Sequence, residues 1–110
     1  MKGAVSGAEG ARIGRIEAME TLLNECAEAV AAYAEATERF GAIQEKIRIL
    51  SDYIGGETWF EDREADEQGR LPQGLRRGVL TEDLGYDVIV GNRDVAIRML
   101  EIATDIMKNL

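Results

Sequence analysis

Residues 53–86 read YIGGETWFEDREADEQGRLPQGLRRGVLTEDLGY, and this stretch separates two long segments of helical periodicity. It holds the only tryptophan, the only proline and four of the six aromatic residues, Tyr53, Trp59, Phe60 and Tyr86. Gly55-Gly56 supplies the left-handed conformation that ends a helix. A short helix is expected over about 57–68, capped by Gly56 or Thr58 and stopped by Gly69. Residues 70–80, with Leu71-Pro72, Gly74 and Gly78, are expected to be an ordered loop. Leu71, Leu75, Val79 and Leu80 make that loop too apolar for a solvated linker, so it should lie over the core.

Working outward, Ile16, Met19, Leu23, Cys26, Val30, Tyr33, Thr37 and Phe40 alternate three- and four-residue steps, the pattern of one helical seam facing a partner helix. The rhythm slips at Gly41 and resumes as Ile43, Ile47, Leu50 and Ile54, so one helix is expected over about 11–52. Residues 1–10 carry glycines at 3, 7 and 10 and are expected to be a flexible lead-in. Ser6 and Glu9 have capping-box spacing there. Beyond the insert, Thr81 is the expected N-cap of a last helix running to 110. Its seam is Ile89, Asn92, Ala96, Met99, Ala103, Ile106 and Leu110. Asn92 either fixes register inside that seam or marks a break at Gly91-Asn92; the continuous helix is preferred.

The expected fold is therefore all-α, a long antiparallel helical hairpin or three-helix bundle, with the short helix and ordered loop capping one end. A single helical domain over 11–110 follows. Cys26 lies on the seam and is expected to be a buried, inert thiol. The stretch Ala27–Ala36 is apolar nearly all round. Either two neighbours sandwich it, with a homodimer formed there, or alanine serves simply as a strong helix former.

Net charge is −8, with acids exceeding bases in residues 1–52, 53–80 and 81–110 alike. No segment is basic, so phosphate-backbone binding lacks its electrostatic footing, and an anionic membrane surface is disfavoured for the same reason. No apolar run approaches the roughly 20 residues of a membrane span. The first residues carry no hydrophobic leader. With one cysteine there is no internal disulfide, which fits a reducing cytoplasm.

Catalytic material is sparse. Histidine is absent, which removes the commonest general base and metal ligand. Ser6 and Ser51 have no base nearby in sequence, and neither a phosphate loop nor a dinucleotide fingerprint is present. The run Glu57, Glu61, Asp62, Glu64, Asp66 and Glu67 lacks the glycine and terminal glutamate of a calcium loop. Asp62 and Asp66 share a helix face and are the only candidate pair for a divalent ion or for acid–base chemistry. The expected reading is a solvated face partly neutralised by Arg76 and Arg77, with no metal or cofactor.

Tyr53, Gly55, Trp59, Asp62, Glu64-Ala65-Asp66-Glu67, Gly69, Leu71-Pro72, Leu75, Arg77-Gly78-Val79-Leu80, Glu82-Asp83, Tyr86 and Asn92-Arg93 together resemble the motif of the domain-of-unknown-function family 4298. The resemblance covers nearly all of the chain after its first ten residues and implies a compact bacterial all-α protein. It carries no functional residue, because no activity, substrate or cofactor is known to attach to that motif. Ile54 and Arg63 depart from the pattern, at positions that touch the packing of the short helix.

The residues Tyr53, Trp59, Phe60, Arg76, Arg77 and Tyr86 form a candidate tip. Aromatics and arginine dominate partner-binding hot spots, but the same set also makes a satellite core that pins a loop. Trp59 is expected to anchor such a core with Tyr53, Leu75 and Tyr86, while its neighbour Phe60 points elsewhere. The functional expectation is a small cytoplasmic protein-interaction or adaptor module, not an enzyme. The alternatives are an acidic inhibitor that occupies a basic site on a partner and, more distantly, a metal-dependent hydrolase using Asp62 and Asp66.

Overall fold

The computed structural model describes residues 6–110 and is all-α, with no strand among them. Helix α1 spans Gly7–Tyr53, α2 spans Glu57–Glu67 and α3 spans Leu84–Lys108, with a 3-10 turn at Gly78–Leu80 before α3. Packing divides the chain inside α1, into a first unit that ends at Ala42 and a second, Ile43–Leu110.

The first unit is helix and little else. Ser6 accepts a hydrogen bond on Oγ from the Glu9 backbone amide at 3.1 Å, half of the capping box its spacing announces. The helix therefore begins at Gly7, earlier than the expected Ala11, because this cap satisfies a first-turn donor. The rest of the expected lead-in, residues 1–5, lies outside the described residues. The helix also runs unbroken through Gly41. Every residue from Ser6 to Glu35 is exposed. This overturns the expectation for Cys26, whose thiol is exposed rather than buried. The seam residues from Ile16 to Tyr33 are exposed, whereas Thr37 and Phe40 at its end are half-buried.

The second unit owes its arrangement to two glycine stops. Gly55 adopts φ +74° and Gly69 φ +71°, a region that costs an L side chain free energy and costs glycine little. After α2 the Gly69 amide donates to the Asp66 carbonyl and the Arg70 amide to the Ala65 carbonyl, each at 3.0 Å. These are the two bonds of a Schellman ending. Helix α2 starts after Gly56 with no side-chain cap, so Thr58 does not cap it.

Thr81 is likewise not the N-cap of the last helix. Its hydroxyl donates to the Gly78 carbonyl at 2.7 Å and so closes the 3-10 turn, which moves the start of α3 to Leu84 behind Asp83. From there α3 is continuous through Gly91 and Asn92. The Asn92 side chain exchanges two hydrogen bonds with Gln44 of α1, at 2.9 and 3.0 Å. Both groups are partly buried, and the reciprocal amide pair satisfies a donor and an acceptor on each. Gly85 of α3 meets Ile54, the residue that follows α1. As the chain advances from 44 to 54, its partner positions on α3 retreat from 92 to 85, so these turns run antiparallel.

Burial is concentrated at the insert. Trp59 is 5% exposed and Leu80 8%, and they are the buried large hydrophobics among the described residues. The expected seam of α3 is covered only in part: Ile89, Asn92 and Met99 are half-buried, whereas Ala96, Ala103, Ile106 and Leu110 are exposed. Of the loop's apolar side chains, Leu80 is buried and Leu71 half-buried, but Leu75 and Val79 are exposed.

The close approach at Gly85 makes a testable demand. A Cβ built there overlaps the Ile54 side chain, so Gly85→Ala should destabilise the protein by about 1–2 kcal/mol despite alanine's better helix propensity. In an Ile54→Val background the same substitution should cost less, as neighbours that share one clash are non-additive. Urea midpoints of the four proteins of that cycle measure the difference.

Candidate functional site

The insert converges on Trp59. A tryptophan ring in the first turn of α2 has one polar atom, and burying it demands a partner. The indole Nε1 donates to the Val79 carbonyl at 2.8 Å, which ties α2 to the loop ahead of α3. Phe60 meets the indole edge-on, with centroids 5.0 Å apart, and the Arg63 guanidinium lies 5.4 Å from the ring centroid. An arginine over a tryptophan face is favoured by the ring quadrupole, by about 0.5–1 kcal/mol where solvent reaches it.

Around this ring the acidic run is neutralised from within the chain. Arg63 pairs with Glu82 at 2.9 Å and with Glu67 at 3.4 Å. Arg77 reaches Asp66 at 2.9 Å and donates to the Pro72 carbonyl at 2.6 Å. Thus Arg77 folds back across α2 as expected, while Arg76 stays exposed. Arg77 and Asp66 are both half-buried, so salt screens their pair less than it screens an exposed one.

Asp62 has a different partner. The Tyr53 hydroxyl, at the last residue of α1, donates to Asp62 Oδ2 at 2.6 Å. A short bond to a carboxylate is a strong one. Donating to Asp62 first, then partial burial, and then the nearby carboxylate charge hold the Tyr53 phenol protonated and push its pKa up to about 12.

The six expected tip residues therefore separate. Tyr53, Trp59 and Arg77 join one interlocked cluster. Phe60 touches its edge but is itself exposed. Tyr86 is 61% exposed, because Gly85 occupies the buried position at the start of α3 and the next residue turns about 100° away. Leu75 is exposed as well, so neither is buried with Trp59 as expected. A shallow surface groove lined by Phe60, Arg63, Glu64 and Glu67 lies beside the cluster.

Sequence reasoning missed Arg63, Glu82 and Gln44. Arg63 had a readable signal, standing four residues after Trp59 and four before Glu67 on one helix face. Glu82 and Gln44 had none, since their partners are distant in sequence. No group of three or more metal-ligating side chains occurs among the described residues. Asp62 and Asp66, the expected metal pair, are each engaged, by Tyr53 and Arg77.

Fold and cluster together define a small all-α domain organised around a tethered tryptophan. Residues 16–102 match the family model described as a domain of unknown function (DUF4298), and the chain belongs to that family. No curated protein and no solved structure matches the chain.

Two outcomes follow from the cluster. Trp59→Ala should lower stability by about 3–5 kcal/mol, as truncations of large buried aromatics do; an unchanged melting curve would contradict its role as anchor. Tyr53 makes stability fall at high pH. The unfolded phenol ionises near its ordinary value of 10.0 and the folded one near about 12. Between these values the unfolded chain has released a proton that the folded chain retains, so unfolding becomes easier as pH rises through that window. Urea midpoints should record this decline, and Tyr53→Phe should remove its contribution along with the phenolate absorbance step near pH 12.

Proposed function

We propose that this chain is a small protein-interaction module that holds a helical partner on the apolar face of α3. The observation that supports it is the width of that face against how little of it is covered. Leu84, Val88, Val95, Met99, Ile102 and Ile106 line one side of it, and Leu100 and Met107 the other, about 120° around the helix. Asp87, Asp94, Arg98, Glu101 and Asp105 cluster on the opposite side. Yet Leu100 is 68% exposed and Met107 69%. Contiguous apolar surface on a soluble protein marks an interaction site more often than an accident of composition. An amphipathic helix laid along such a face is a recurrent recognition mode. No helix among the described residues is long and apolar enough to cross a membrane, which favours a protein over a bilayer interior as the surface it meets.

The other readings draw less support. An acidic inhibitor presents unpaired carboxylates to a basic site, whereas Asp62, Asp66, Glu67 and Glu82 are paired inside this chain. A hydrolase using Asp62 and Asp66 would need to release Tyr53 and Arg77 first. We place the module in the cytoplasm on the strength of its single cysteine.

Leu100→Glu tests the proposal directly. As an exposed substitution it should change stability by no more than about 0.5 kcal/mol. Proteins captured on the tagged parent chain from its native host are identified, and the purified partner is titrated calorimetrically against parent and variant. A loss of tenfold or more in affinity is expected. Equal affinity of the two would remove α3 from the interface.

A further inference from the structure

We propose that the first unit is a self-association surface: residues 13–36 of α1 pair with the same segment of a second copy, antiparallel about a two-fold axis near Asn24-Glu25. This rests on a different face from the α3 reading and stands or falls separately.

The need for an occupant comes from exposure. The seam residues Ile16, Met19, Leu23, Cys26, Val30 and Tyr33 are all exposed, Val30 by 70%. Residues 6–35 contain no buried side chain to hold the helix in place, and Gly7, Gly10 and Gly14 each lower its propensity. A lone helix of that kind is marginal in water.

That the occupant is a second copy follows from self-complementarity. In an antiparallel pair each inner seam position faces the other inner position of its partner. Aligning the segment on itself so that Leu23 of one copy faces Cys26 of the other brings Met19 against Val30 and Ile16 against Tyr33. All six layers are then apolar. The same register sets large flanking side chains against alanines, Leu22 against Ala29 and Ile13 against Ala34. The two charged flanking residues also meet alanine, Glu20 facing Ala27 and Arg15 facing Ala36, so no acid meets an acid. Glu17, Glu25, Glu28 and Glu35 fall on the outer positions of the heptad. A chain of net charge −8 can thus approach its own copy along this face without like charges in contact.

The area is sufficient. Twenty-four helical residues span about 36 Å, and half the circumference of a helix is about 17 Å, so each copy covers roughly 600 Å². The total of about 1,200 Å² reaches the lower bound for a specific, stable interface. Alanines on both flanks let the backbones come close, toward the short end of the 8–10 Å range of helix spacings.

Sedimentation equilibrium on the full chain at micromolar concentration tests this. The parent should show twice the 12.1 kDa chain mass. Val30→Glu, which sets a charge in an apolar layer, should shift the mass to that of one chain, while Thr21→Glu on the outer face should leave the dimer intact. Loss of the Val30→Glu dimer through unfolding is separated by a readout that keeps the helix apolar. In a Cys26→Ser background, the Met19→Cys, Val30→Cys double substitution should yield a disulfide-linked dimer on mild oxidation, and the Ala18→Cys, Ala31→Cys pair should not. A monomeric parent overturns the proposal, as does a dimer that survives Val30→Glu or cross-links equally through both cysteine pairs.

Discussion

The hydrogen bond from the Trp59 indole to the Val79 carbonyl organises the second unit. An indole N–H buried without an acceptor loses its hydration with nothing in exchange, so the ring is stably buried only if the loop folds to bring that carbonyl within reach. Once the loop is there, Leu80 is carried into the interior, Arg77 stands opposite Asp66, and the 3-10 turn delivers the chain to α3. Arg63 closes the other side by covering the ring and holding Glu82. Each contact is small alone. Because they share one buried ring, they form or fail together.

The acidic character of α2 changes meaning in this light. Six carboxylates in eleven residues invite a reading as a ligand-binding face, and their number alone does not decide between ligand binding and internal pairing. Partner geometry does. Tyr53 and Arg77 come from outside α2 and take Asp62 and Asp66, while Arg63 and its partner Glu82 lie across the tryptophan. These carboxylates act as fasteners between segments. Glu57, Glu61 and Glu64 remain on the solvated side.

Much of this was legible in the residues. The glycine stops at 55 and 69, the three helices, the buried Trp59 and the return of Arg77 across α2 all follow from local rules of turn chemistry and periodicity. What was not legible depends on partners far away in the chain. Periodicity identifies an apolar seam, but cannot say whether the chain itself covers it; hence Cys26 was expected inside and lies outside. Tyr86 was grouped with Trp59 because it is aromatic and, with Tyr53, brackets the insert, whereas Gly85 is the residue whose small size α3 needs there. Thr81 has the right chemistry for a cap, yet the preceding turn uses its hydroxyl first. Asn92 was recognised as a polar exception in a seam, but its match to Gln44 is a fact of tertiary register.

The lone tryptophan has an optical consequence. Trp59 belongs to the second unit and is shielded by Leu80's neighbourhood and the Arg63 guanidinium, so the protein's intrinsic emission responds to the loosening of that cluster. The twenty-nine exposed residues at the start of α1 contain no indole and contribute far-ultraviolet ellipticity instead. The two signals therefore watch different parts of one polypeptide. If their thermal transitions coincide, the two units melt as one cooperative body; if the ellipticity declines first, α1 frays while the tryptophan remains enclosed.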